Sequence, residues 1–511
     1  MVARTYSSTL LGVNAVEVEI ESHDGGGTPK MFIVGLPDAS VKESRERVTA
    51  AITSCGYLMN DGVTTVNLAP ADLKKEGPGF DLPIAVSLIA HRCKIPIAVL
   101  KETAMIGELA LNGELRPVRG LLAVALEARA KGRKRLLVPK RAAAEASVVG
   151  GIDIIGVNHL REVVDFLKSE IELNPEPCRA TEYFAAAAHY EIDFADVKGQ
   201  ADAKRAIEVA VAGGHNMLMV GPPGTGKSMI AKRIVTIMPS MTEEEAIETT
   251  KIHSAAGLLS EAQAFVATRP FRSPHHTISD AGLLGGGSNP GPGEVSLAHN
   301  GVLFLDELPE FRRSTLEVLR QPLEDGRVTI SRAAGTVTFP SQMLLVAAMN
   351  PCACGYFGDS KRACRCPAPM IQKYRQRISG PLLDRIDLHV EVPLVDYQAL
   401  ASRDVGESSE AIRARVEKAR SIQSERFRKT PSIHTNSAMT PRLLKKHCEL
   451  DAEGASYLEH NMGQMNFSAR AHDRILKVAR TLADLKGLEK IDADSVLEAV
   501  NYRTLDRNLW A

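Results

Sequence analysis

Gly221-Pro222-Pro223-Gly224-Thr225-Gly226-Lys227-Ser228 is the stretch of this 511-residue chain whose chemistry is easiest to read. An apolar run, Met217–Val220, leads into it, and a helix-forming segment, Met229–Ile237, follows. In a strand, glycine loop and helix, backbone N–H groups turn inward around phosphate oxygens and the helix N-terminus adds a favourable dipole. Lys227 is then placed to reach the β- and γ-phosphates of ATP, and Ser228 to hold Mg²⁺. A second signal is Gly301-Val-Leu-Phe-Leu-Asp306-Glu307-Leu308, a buried apolar strand ending in paired carboxylates. Asp306 can order the Mg²⁺ shell, and Glu307 can orient and activate an attacking water. A third apolar strand, Met343–Met349, ends in the polar Asn350.

Other residues carry chemistry less directly. Cys352, Cys354, Cys364 and Cys366 form two Cys-x-Cys pairs in one loop. Four thiolates there could hold tetrahedral Zn²⁺. The spacing is tighter than the usual Cys-x2-Cys knuckle, and four reduced thiols packing a loop are the alternative. From Lys361 to Arg377 the chain carries Lys361, Arg362, Arg365, Lys373, Arg375 and Arg377 with no acidic residue, and Tyr356, Phe357 and Tyr374 are interleaved. This is a candidate surface for nucleic-acid phosphates and bases, with a solvated rim or a subunit interface as alternatives. His275 and His276 are read as hydrogen-bonding loop residues without an assigned role.

These groups need elements to position them. The length is a prior for about three or four domains. With 44% hydrophobic and 24% charged residues, the chain has the composition of a soluble globular protein. Net charge is zero, so contact with nucleic acid must come from local patches. No apolar stretch is long enough to span a bilayer, and Met1–Ser8 lacks the features of a signal peptide, so no membrane contact and a cytoplasmic location are expected. The eight cysteines are then thiols or metal ligands rather than disulfides.

Residues 1–170 read as an α+β domain. Val16, Val18 and Ile20 alternate with glutamates, and Met31–Val34 is a second strand. A helix covers Val41 to Ile52, capped by Asp38 or Ser40 and stopped at Gly56. A hairpin turns at Asn112-Gly113, and helix Leu121–Ala130 and strands at 136–138 and 152–155 follow. The order of Lys74–Leu82, the hairpin, Pro117–Ala128 and Leu136–Pro139 resembles the proteolytic domain of Lon-type proteases. Where that family has its serine and lysine, this chain has Gly79 and Leu122, which can act neither as nucleophile nor as base. A retained scaffold rather than an active protease is expected, with Lys74 and Lys75 as solvated charges. Residues 171–190 read as a linker.

Residues 191–395 resemble an AAA+ ATPase core, and 396–511 a helical insert and lid. By that resemblance Val197-Lys-Gly-Gln200 lies beside the adenine and Asn350 is sensor 1. Arg385, in Pro381–Asp387, is the arginine finger acting on a neighbour's ATP. Arg470 is the sensor 2 arginine, with Arg474 as the neighbouring alternative. Arg269–Thr277, Pro292–Gly301 and a hairpin over 324–339, turning at Ala333–Gly335, match the magnesium-chelatase and MCM-like branch, with Arg332 a candidate for a ring pore. A long basic helix over Ser408–Lys429 reads as the insert before the lid. Together with the Lon-like domain, these features resemble the ComM/YifB family of magnesium chelatase-like proteins along essentially the whole chain. The resemblance implies a homo-hexameric ATPase using ATP and Mg²⁺. Its ComM members are DNA helicases that promote branch migration on single-stranded or branched DNA as transforming DNA is integrated. A chelatase-type remodeller that drives metal insertion into a tetrapyrrole is the alternative.

Overall fold

A computed structural model describes residues 2–187, 190–260, 263–287, 290–332, 335–359, 362–395, 406–430, 433–465 and 468–503. The hairpin turn at 333–334, the side chain of Arg332, Lys361 and Phe467 fall outside the described residues. The chain forms two compact units. The first holds Met1–Ala186, Glu243–Ala267 and Pro290–Pro292, and the second holds Ala187–Thr242, Thr268–Asn289 and Gly293–Ala511. Glu243–Ala267 therefore packs with the N-terminal unit although it follows the phosphate loop in sequence. No described helix is long and apolar enough to cross a membrane.

The first unit is built on a seven-stranded mixed sheet. From edge to edge its strands are Lys30–Val34, Val63–Ala69, Asn14–Asp24, Val2–Leu11, Thr103–Met105, Arg135–Pro139 and Asp153–Val157. Alternation in Asn14–Asp24 buries Val18 and Ile20 completely. Helix Ala39–Ser54 starts where Asp38 accepts the Val41 N–H at 2.8 Å, and its Val41, Val48 and Ile52 enter the core. Helix Asp81–Ile89 is buried on every side. Its Asp81 is gripped by the Arg47 fork at 2.7 and 3.0 Å, yet burial still pushes the carboxyl above its usual range.

The Lon-like positions lie in this unit. Gly79 is buried in the turn Pro78–Phe80, where an added Cβ would come within 3.0 Å of Ile106. Leu122 is fully buried, and its backbone N–H donates to the Glu145 carboxylate at 2.9 Å. Ser254 donates to the same carboxylate oxygen from helix Glu243–Ala255, which packs on helix Leu121–Ala130. Lys74 is half-exposed and paired with Glu76 at 2.6 Å. The expectation of a solvated charge fails for Lys75. It is fully buried, donates to the Pro70 carbonyl, and has its ammonium pushed below the usual range by burial.

The second unit centres on a five-stranded parallel sheet in the order Phe271–Arg272, Val302–Leu305, Leu344–Met349, Met217–Val220, Leu388–Glu391. Three of these are uninterrupted apolar runs, as a strand covered on both faces requires. Helices Ala201–Gly213, Lys227–Ile237, Ser409–Phe427 and Ala469–Lys486 contribute to one core with the sheet. Three arginines of helix Ser409–Phe427 bond to neighbouring elements. Arg413 donates to the Thr236 carbonyl at 2.8 Å, Arg415 to Glu208 at 2.5 Å, and Arg420 to the Val211 carbonyl at 3.0 Å.

Its Arg426 enters a buried polar network. Asp484 accepts from Arg426 at 2.6 Å, from Arg480 at 3.0 Å and from Asn436 at 2.8 Å. Asn436 also donates to Thr481, whose hydroxyl meets His215 Nε2 at 2.8 Å, and His215 Nδ1 meets Asp387 at 2.9 Å. Burial would raise the Asp387 carboxyl, but the Arg474 charge and the His215 hydrogen bond reverse this and hold it well below the usual carboxylate range. Removing one partner from such a network leaves an uncompensated charge in a dry site. Asp484→Asn should therefore destabilise the second unit by ~3 kcal/mol, read as a lowered melting transition by calorimetry. An unchanged transition would contradict this role.

Candidate nucleotide site

Val220 lies opposite Met349, and the Gly221 N–H continues the pairing by donating to the Met349 carbonyl at 3.2 Å. The phosphate loop thus leaves the sheet at the carboxyl ends of its strands. Met217–Val220 sits between the fourth and fifth strands in sequence, a switch in strand order where open parallel sheets bind ligands. Gly221 passes so close to the other neighbour that a Cβ would come within 2.1 Å of the Val392 carbonyl oxygen. Gly224 and Gly226 take φ of +81° and +86°, and Gly226 caps helix Lys227–Ile237 in a left-handed conformation.

The loop is held by its own polar groups. The Lys227 ammonium donates to the Gly221 carbonyl at 2.7 Å and the Pro222 carbonyl at 2.8 Å, and lies 3.4 Å from Asn350 Oδ1. Burial pushes that ammonium below its usual range, and the nearby Asp306 and Glu307 only partly restore it. A phosphate oxyanion in the loop would favour the charged form. Ser228 Oγ donates to Asp306 Oδ2 at 2.6 Å, so the two oxygen ligands proposed from sequence are already adjacent. Asp306 Oδ1 accepts the Glu307 N–H at 2.9 Å, while Glu307 has a φ of +52° and a half-exposed side chain. A glycine cradle, a buried ammonium and a hydroxyl–carboxylate pair suit a Mg²⁺-bound triphosphate.

Two further residues attach to this group. Gln200 Nε2 donates to the Pro393 carbonyl at 2.6 Å and lies 3.5 Å from the Thr225 carbonyl. Gln200 therefore ties the loop to the segment that follows strand Leu388–Glu391. His276 has no role legible in the sequence. Its Nδ1 lies 3.6 Å from Glu307 Oε2, and its ring packs edge-on to Phe311 at 6.3 Å. Nothing in the spacing of His275-His276 marks this, because the loop after Phe271–Arg272 reaches Glu307 only through strand pairing.

The two arginines named from resemblance are held elsewhere in this chain. Arg385 is largely buried, pairs with Glu324, and donates to the Pro381 carbonyl at 2.5 Å. Arg470 is exposed and lies 3.4 Å from Asp384. Arg474, the alternative sensor 2 arginine, is committed to Asp387. The basic segment also differs from its reading as an open surface. Tyr374 and Arg375 are buried; Arg375 donates to the Pro351 carbonyl at 3.2 Å, and burial pushes the Tyr374 hydroxyl up to about 12. Arg377 pairs with Glu310 at 2.7 Å and Arg362 donates to the Tyr356 hydroxyl at 2.8 Å. Arg365 and Lys373 face solvent. The four cysteines of Cys352–Cys366 come together.

Comparison with known proteins fits this geometry. Families described as magnesium chelatase, subunit ChlI, match residues 16–142, 193–400 and, for the C-terminal part, 406–503. The chain is 43% identical to YifB of Escherichia coli strain K12 over 506 residues, covering 99% of this chain and 97% of that protein. It is 42% identical to competence protein ComM of Haemophilus influenzae over 514 residues, covering 99% and 98%. The chain belongs to the magnesium chelatase-like family that includes YifB and ComM. A 135-residue stretch is also 30% identical to Lon protease 2 of Bacillus subtilis, covering 26% of this chain and 23% of that protein. This magnesium chelatase-like chain thus combines an AAA+ core with Lon-like similarity, and its family implies ATPase activity with ATP and Mg²⁺.

The close approach at Gly221 gives a direct test of this packing. Gly221→Ala drives a methyl group into the Val392 carbonyl and should cost about 1–3 kcal/mol, as overpacking does. It should also weaken ATP binding, measured with a fluorescent analogue. Unchanged stability and affinity would mean that the loop is not pinned between its neighbouring strands.

Proposed function

We propose that this chain is a cytoplasmic, ring-forming ATP-driven motor that works on DNA, of the ComM helicase type. The observation that carries this reading is the similarity to ComM, which spans both units, in a chain whose loop and carboxylates are arranged for ATP hydrolysis. In this reading Gly221–Ser228 binds the phosphates, Lys227 supports the β- and γ-phosphates, and Asn350 acts as sensor 1 beside it. Mg²⁺ held by Ser228 and Asp306 would neutralise phosphate charge. Glu307, with its half-exposed carboxylate, orients and deprotonates the attacking water.

Arg385 and Arg470 act across a subunit boundary, as finger and sensor 2, in a homo-hexamer. Release of Arg385 from Glu324 and of Arg470 from Asp384 would accompany assembly. The hairpin Arg327–Arg332 and Gly335–Pro340 lies in sequence between the strand that ends at Asp306 and the strand that ends at Asn350. Movement at the γ-phosphate can therefore pass to the hairpin through either strand, and Arg332 is proposed to grip DNA phosphate. The first unit is proposed to be a scaffold without protease activity, because Gly79 has no nucleophile and Leu122 no base.

The family description itself favours a second reading, a remodeller that uses ATP to drive metal insertion into a tetrapyrrole. One assay separates the readings. ATP turnover should rise with single-stranded or branched DNA and not with porphyrin or casein. Glu307→Gln should bind ATP while losing about hundredfold or more in turnover, the scale of a general base. Stimulation by porphyrin alone would replace the DNA reading, and near-normal turnover by Glu307→Gln would remove the glutamate's role.

A further inference from the structure

The cysteine loop opens directly from the nucleotide site. Strand Leu344–Met349 ends, Asn350 turns toward Lys227, and Cys352 follows two residues later with its side chain buried. A tight turn closes from Cys352 to Gly355, whose N–H donates to the Cys352 carbonyl at 3.0 Å. The chain returns at Cys364 and Cys366 and enters helix Ala368–Arg375.

The sulfurs converge. Cys352 and Cys354 Sγ are 3.4 Å apart, Cys352 and Cys364 3.7 Å, and Cys354 and Cys364 3.6 Å. All four sulfurs, that of Cys366 included, lie within 4.8 Å of one another. A tetrahedral thiolate site with metal–sulfur bonds of about 2.3 Å places its sulfurs about 3.8 Å apart. A disulfide would need about 2.05 Å. A multi-iron cluster would spread its cysteines around several metal atoms, whereas this group closes on a single point. Thiol packing alone is a weak reason for four sulfurs to meet, since S–H groups are poor donors and bring little apolar area.

The surroundings also suit a charged thiolate centre. Backbone N–H groups point at the sulfurs: Cys366 donates to Cys364 Sγ at 3.4 Å, and Tyr356 and Arg365 donate to Cys354. Four thiolates on a divalent ion carry a net double negative charge. Arg375, whose guanidinium donates to the Pro351 carbonyl and lies 5.0 Å over the Phe357 ring, interacts electrostatically with Cys352 and supplies opposite charge. Such outer contacts orient ligands and tune a metal site.

The loop also touches the phosphate loop. Gly355 has a φ of +87°, and a Cβ there would lie 2.6 Å from Pro223 Cδ and 3.9 Å from Asn350 Cγ. The backbone at Gly355 is thus pressed against the shoulder of the phosphate loop. We propose that Cys352, Cys354, Cys364 and Cys366 bind one divalent ion of the zinc class in a tetrahedral thiolate site, and that the loaded site braces Pro223 and Asn350 from behind. The metal site stands on its own geometry, whereas the bracing rests on the nucleotide reading above.

The test uses the full-length chain, purified under reducing conditions without added metal. Elemental analysis should find about one zinc per chain. Replacement by Co²⁺ should give the d–d absorption of a tetrahedral thiolate complex. Stripping the wild-type protein with a mercurial and a chelator should weaken binding of a fluorescent ATP analogue about tenfold, and re-addition of Zn²⁺ should restore it. Cys364→Ser/Cys366→Ser should lose the metal and show the same weakening. Less than about a tenth of an equivalent of metal, with all four thiols reactive, would overturn the site. One metal per chain with unchanged ATP affinity after stripping would overturn the bracing. Zinc-loaded wild-type protein that binds no ATP would overturn the nucleotide reading and the bracing with it, while upholding the metal site.

Discussion

Strand Met217–Val220 runs between Leu344–Met349 and Leu388–Glu391, with Val220 opposite both Met349 and Glu391. That register fixes where the chain must turn out of the sheet, and Gly221 is the residue that can make the turn against the Val392 carbonyl. From there the positions of Lys227, Ser228 and Asn350 follow. The lysine reaches back to the carbonyls at the base of its own loop, the serine meets Asp306 from the next strand but one, and Asn350 extends the strand paired alongside. A change in this register would separate the loop from the carboxylates, because each group sits at the end of a different strand. The apolar runs that make the strands therefore determine the chemistry as much as the polar residues at their tips.

Much of this was legible in the sequence because its signals are local. The phosphate loop is a contiguous pattern, the Asp306-Glu307 pair ends an apolar run, and helix Leu121–Ala130 announces itself by its composition. What escaped reading depends on distance along the chain. Strand Val2–Leu11 is rich in Ser and Thr, yet Thr5, Ser7 and Thr9 are buried at the centre of a sheet, so no alternation marks it. Lys75, Tyr374 and Arg375 look like surface residues by type but are buried, each in a contact that sequence does not predict. The His276–Glu307 approach and the placement of Glu243–Ala267 with the first unit are likewise products of tertiary packing.

The second unit invests heavily in buried charge. The path Asp484, Asn436, Thr481, His215, Asp387 runs from the lid helix Ala469–Lys486 to the start of the edge strand Leu388–Glu391. Such a network is costly to break and has few alternative arrangements, so lid and sheet are joined by directional bonds as well as by apolar packing. Arg385 and Arg470, by contrast, each pair with one carboxylate, Glu324 and Asp384, nearer the surface.

On the proposed reading, the Lys227 cradle and the Ser228–Asp306 pair together form one Mg²⁺-dependent triphosphate site. The most direct measurement is equilibrium binding of ATP to the wild-type and Lys227→Ala proteins, titrated with and without Mg²⁺. The wild type should bind tightly, and more weakly when Mg²⁺ is withheld, while Lys227→Ala should lose binding with its fold intact by circular dichroism. Equal affinity in the two proteins, or wild-type affinity indifferent to Mg²⁺, would contradict that reading.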